Sequence, residues 1–121
     1  MSHETYRRAQ VEMASPRDAE YQAFSSVTSK LIALSNSDVP DLKDRAQAVH
    51  DNKQLWFMLA NDCADDRNLL PEETRATIIN LSRWVDKYSR AVIRDNESIS
   101  PLIDINRIMM DGLAGRREPA A

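Results

Sequence analysis

Apolar residues recur every three or four positions in four long blocks of this chain, and short polar stretches separate the blocks. In the first block Tyr21, Phe24, Val27, Leu31 and Leu34 form one stripe. The next carries Leu42, Val49, Trp56 and Cys63 at steps of seven, with Ala46, Leu59 and Ala60 alongside. The third is the cleanest: Ile78, Leu81, Val85, Tyr88 and Val92 alternate steps of three and four. That spacing keeps side chains on one side of a helix and makes a seam of the kind helical bundles bury. The last block, from Leu102 to Leu113, is apolar over an arc of about 160°, counting about 100° per residue.

Proline marks the starts. Pro16, Pro40, Pro71 and Pro101 each precede a block, and proline suits a helix start because its missing N–H has no partner there. Ser15 and Ser100 stand as N-cap candidates before two of them. Asp18, Asp41, Glu72, Glu73 and Asp104 put negative charge into the first turns, where the helix dipole favours it. The pattern predicts helices near 3–14, 16–35, 40–62, 71–95 and 101–113. The expected fold is therefore all-α, a small bundle of about five helices in one domain over residues 1–113, with 114–121 as a tail.

Composition narrows the function classes. With 121 residues the chain can build one modest core, and only two glycines, both near the C-terminus, argue against a turn-rich sheet. Sixteen basic residues against nineteen acids give a net charge of −3, so no nucleic-acid footprint is expected. A single cysteine, Cys63, excludes an intramolecular disulfide and suits a reducing compartment. The N-terminal residues lack the apolar core of a signal peptide, and the run Leu55 to Ala60 is far short of the roughly 20 residues that span a bilayer. The expectation is a cytoplasmic protein with no membrane insertion.

Two features exceed what a solvated bundle needs. Leu55-Trp56-Phe57-Met58-Leu59 is apolar around the whole helix circumference, so if Trp56 and Leu59 face the seam, Phe57 and Met58 point away from it. Either another helix of the fold covers that pair, or it forms an exposed face for a partner helix. In the last block Leu102, Ile105, Met109 and Leu113 pose the same choice. Of the two sets, one is expected to be internal, and Phe57 with Met58 is the favoured binding face. Asn106 falls inside the last block's apolar arc. A buried amide left unpaired costs about 1–3 kcal/mol, so Asn106 requires a specific hydrogen-bond partner and reads as a residue that fixes register.

No catalytic set, metal site or cofactor motif is evident. The acidic stretch 61–68 lacks the glycine and terminal glutamate of an EF-hand loop, and it suits capping of the preceding helix better. His3, His50 and Cys63 have no metal-ligand spacing. Arg83, Lys87, Arg90 and Arg94 share one helix side, which reads first as a solvated face and second as an RNA or partner contact.

The ordered combination of Leu55-Trp56, Leu70-Pro71 with Arg75-Ala76 and Ile78-Ile79, Trp84-Val85, and Pro101-Leu-Ile-Asp-Ile-Asn106-Arg107 with Met110 and Gly112-Leu113 resembles the FlaF family of alphaproteobacterial flagellar biosynthesis regulators. The resemblance covers nearly the whole chain. It implies a role in flagellar assembly, in which such proteins bind flagellin in the cytoplasm as a secretion chaperone. It also implies opposition to a partner, the FlbT-like repressor of flagellin translation. The alternative is a post-transcriptional regulator acting on flagellin mRNA or through the FlbT-like protein.

Overall fold

The structure of the chain is a computed structural model and describes residues 16–39 and 41–115. Four helices account for most of them: α1 (Pro16–Ser35), α2 (Leu42–Ala64), α3 (Glu72–Asp95) and α4 (Ser100–Gly115). No strand occurs among the described residues, so the all-α expectation holds. The helix expected near 3–14 and the capping role of Ser15 lie outside the described residues. Two residues assigned to a tail, Ala114 and Gly115, are the last of α4; residues 116–121 lie outside the described residues.

The helix ends are satisfied by side chains or backbone groups close by, although not always by those the sequence suggests. Asp41 is the N-cap of α2, its carboxylate accepting from the backbone N–H of Lys43 at 2.9 Å and of Asp44 at 3.4 Å. Pro71 is the N-cap of α3 rather than its first residue, and its carbonyl accepts the first helical bond from Arg75 at 3.0 Å. At α4 the capping hydroxyl belongs to Ser98, which accepts from the Ser100 N–H at 3.1 Å; Ser100 itself opens the helix. The acidic stretch after α2 caps that helix, which runs two residues further than its spacing suggested. Asn68 Nδ2 donates to the Asp62 carbonyl at 3.0 Å, and Arg75 Nη1 reaches the carbonyls of Cys63 and Asp65 at 3.4 and 3.3 Å. α3 ends on Asn96 in the left-handed conformation (φ 55°, ψ 35°), the only non-glycine residue with positive φ among those described.

α2 and α3 run antiparallel along their lengths, and α1 packs against both α2 and α4. The α2–α3 register follows from three links: Arg75 to Cys63, the Ser82 hydroxyl to the Trp56 carbonyl at 3.2 Å, and Lys53 to Asp86 at 3.3 Å. That register leaves Leu42 opposite the turn beyond Asp95, where α3 has ended. Leu42 is accordingly 76% exposed, a correction to its place in the seven-residue stripe. Val49, Trp56 and Cys63 do enter the core, together with Phe24, Leu31, Ile78, Val85, Val92, Leu102 and Leu113. The Phe24 ring meets Trp56 edge-on, with centroids 5.4 Å apart.

Candidate functional site

The interior holds one polar node. Trp56 Nε1 donates to Asn106 Oδ1 at 2.8 Å, while Asn106 Nδ2 donates to Thr28 Oγ1 at 3.1 Å and to Asn52 Oδ1 at 2.7 Å. All four residues are buried. One amide thus joins α1, α2 and α4, which fulfils the requirement that Asn106 have specific partners. Because the amide is wholly enclosed, its role is to fix how three helices meet.

The six apolar candidates divide by position. Leu102 and Leu113 are sealed in the core at 0% and 1% exposure, so they offer nothing to a partner; this corrects their place among the binding candidates. α4 packs against α1, and Leu113 lies at the base of the groove between α3 and α4. Ile105 and Met109 are half-buried and line a shallow groove between α3 and α4, of 190 Å³, with Ile108 and Leu81. Phe57 and Met58 are both exposed, at 58% and 64%.

Adjacent in sequence, Phe57 and Met58 do not share a surface. Phe57 lies on the α3 side of α2 and lines a groove of 480 Å³ with Lys53, Ala60, Ala64, Ile79, Arg83 and Asp86. Met58 sits a further 100° or so around the helix and is not part of that lining. A second depression of 430 Å³ continues towards the other end of the two helices, lined by Ala46, Val49, His50, Ser89, Arg90, Ile93 and Arg94. Lys53 borders both, so the two follow one another as a trough along the α2–α3 seam, with the Lys53–Asp86 bridge crossing between them. Its floor is apolar and small on the α2 side, since the alanines leave room that larger side chains would fill.

The trough is also basic, chiefly on its α3 wall. Arg83, Arg90 and Arg94 come from α3 and Lys53 from α2, whereas Lys87 of the expected basic stripe lines neither depression. Asp86 is the one acid among the lining residues, and it is bridged by Arg90 from the next turn and by Lys53 across the seam. The Arg90 hydrogen bond holds the Asp86 carboxyl below its ordinary range, with Lys53 adding to the effect and desolvation opposing it. A carboxylate held ionised in this way is poorly suited to proton transfer near neutrality. Sequence spacing had already placed the arginines on one side; it missed Lys53, Ile79 and Ile93, whose positions matter only once α2 and α3 are known to be neighbours.

Among the described residues no group of three or more His, Cys, Asp or Glu side chains is placed to hold a metal ion. No described helix is long and apolar enough to cross a membrane. The fold and its surface define a small all-helical protein with an open, apolar and basic trough. The chain belongs to the FlaF family of flagellar proteins, whose family model matches residues 2–113. No curated protein and no solved structure matches it.

Proposed function

We propose that this flagellar protein binds flagellin in the cytoplasm before export, as a secretion chaperone, and that the α2–α3 trough is where it does so. Membership of the FlaF family supports the flagellar setting. The observation that carries the binding role is Phe57, a large aromatic side chain 58% exposed at the trough's edge. A small protein that leaves such a residue open beside Ile79 and two alanines has surface for an amphipathic helix. Covering the apolar face of a flagellin segment would delay its self-association.

Titration of purified flagellin against the full chain tests this. Phe57→Ala should leave the fold intact and weaken binding by about 1 kcal/mol or more, as at a hot spot. Met58→Ala, outside the trough, should leave affinity unchanged. Failure of the parent chain to bind flagellin overturns the chaperone reading. Three exposed arginines on α3 favour a second reading, a regulator that contacts flagellin mRNA or a FlbT-like partner. Co-purification from cells, with identification of the dominant partner, separates the two.

A further inference from the structure

The trough's charge is one-sided, and that constrains what enters it. Three guanidinium groups, Arg83, Arg90 and Arg94, stand along the α3 wall, while the facing α2 wall presents Gln54, Asn61 and His50, and its one lysine, Lys53, is paired with Asp86. Between Ala46 and Ala64 the α2 wall spans about 27 Å at the α-helical rise, the length of a helix of about 18 residues. The trough offers Phe57, Ile79 and Ile93 to apolar side chains. We infer that the trough selects an amphipathic protein helix whose apolar stripe is bordered on one flank by carboxylates, which pair with the α3 arginines. This deepens the chaperone reading, on which it rests for its location, by naming the chemistry of the segment held.

A nucleic acid fits less well. Its phosphates would meet the arginines, but beyond Phe57 and His50 the trough offers no ring on which bases could stack, and the chain as a whole is acidic. Asp86 does not cancel the wall, since it is a single acid shared between Lys53 and Arg90. Arg83 and Arg94 are left to face a ligand.

The test uses the full chain and two synthetic helical peptides with the same apolar stripe, one carrying glutamates along one flank and the other lysines there. The glutamate peptide should bind, with affinity falling as salt rises, and the lysine peptide should bind about 2- to 30-fold more weakly, taking about 0.2–1 kcal/mol per exposed pair over the two arginines left free. Replacing the wall by Arg83→Gln, Arg90→Gln and Arg94→Gln should erase the difference; Arg83→Gln alone, at an exposed site without an intrahelical partner, should reduce it if the triple variant does not fold. Equal binding of both peptides overturns the inference, as does preferential, steeply salt-dependent binding of a single-stranded RNA. The two readings fail separately. If flagellin binds the parent chain and the arginine variants alike, charge selection is wrong and the chaperone reading stands. If the glutamate peptide binds and flagellin does not, the trough's selectivity stands without flagellin as its occupant.

Discussion

Trp56 donates its indole N–H to the side-chain oxygen of Asn106, 2.8 Å away and 50 residues later in the chain. That bond decides which way the amide of Asn106 points. With the oxygen turned to Trp56, the nitrogen faces two oxygens, those of Thr28 and Asn52. The node is therefore polarised, with a donor required where Asn106 Nδ2 stands.

Asn106→Asp tests that polarity. The new carboxylate would keep the Trp56 bond but set a second oxygen against the Asn52 and Thr28 oxygens, inside the core. The variant should be destabilised by more than the about 1–3 kcal/mol that Asn106→Ala costs through an unpaired Trp56 N–H. Burial raises the folded-state pKa of the new acid, so the unfolded chain releases its proton first and the variant loses stability as pH rises through the acidic range. Urea unfolding at several pH values should show the penalty shrinking towards low pH, where the protonated acid can donate to Asn52.

Core and surface should separate cleanly in mutagenesis. Leu102, fully buried, should cost about 2–5 kcal/mol when truncated to Ala, because the bundle closes only partly over the cavity. Phe57→Ala and Met58→Ala should each stay within about 0.5 kcal/mol of the parent protein. Chemical denaturation of the three variants checks this directly.

Tyr88 predicts an alkaline effect. Its hydroxyl donates to the Ser98 carbonyl at 2.7 Å, tying α3 to the turn before α4. Burial chiefly, then the nearby Glu97 charge, pushes the phenol above its ordinary pKa, with Arg45 opposing. The stabilisation from this proton is present below the unfolded tyrosine value near 10 and is lost as pH rises from there through the folded value. Tyr88→Phe should cost about 0.5–1.5 kcal/mol at neutral pH and flatten the alkaline limb of the stability profile.

Arg75 should act locally. Its guanidinium holds the last carbonyls of α2 from a half-buried position, at the long distances of 3.3 and 3.4 Å. Arg75→Met should cost about 1.5 kcal/mol, the lower end of the range for hydrogen bonds to charged groups. Hydrogen exchange should quicken at residues 62–68 while the α1–α4 contact stays protected.

The four described helices were legible because each carries one stripe at helical spacing, and a stripe is a property of one segment. What remained hidden depends on two segments at once. Leu42 fits the stripe of α2 but falls where α3 has already ended. Phe57 and Met58 looked like one face until α3 took its place beside only one of them. The amide of Asn106 announced its need for partners through its apolar surroundings, and Thr28 between Phe24 and Leu31 and Asn52 between Val49 and Trp56 lie on apolar stripes in the same way, but which of them meets which depends on how three helices pack. Lys53 reads as an ordinary surface lysine until Asp86 lies opposite.

The partners of Asn106 also set an order of events. Thr28, Asn52 and Trp56 leave a ribosome well before Asn106, which follows Thr28 by 78 residues. Until the final helix emerges, those three polar groups have no amide to meet, and the apolar side chains around them have no lid. The nascent chain can form its first helices and pair α2 with α3, but its interior closes only once α4 has emerged. A chain cut short before α4 therefore carries an open, half-polar core, and that exposed interior is what sets it apart from a chain in which α4 has docked.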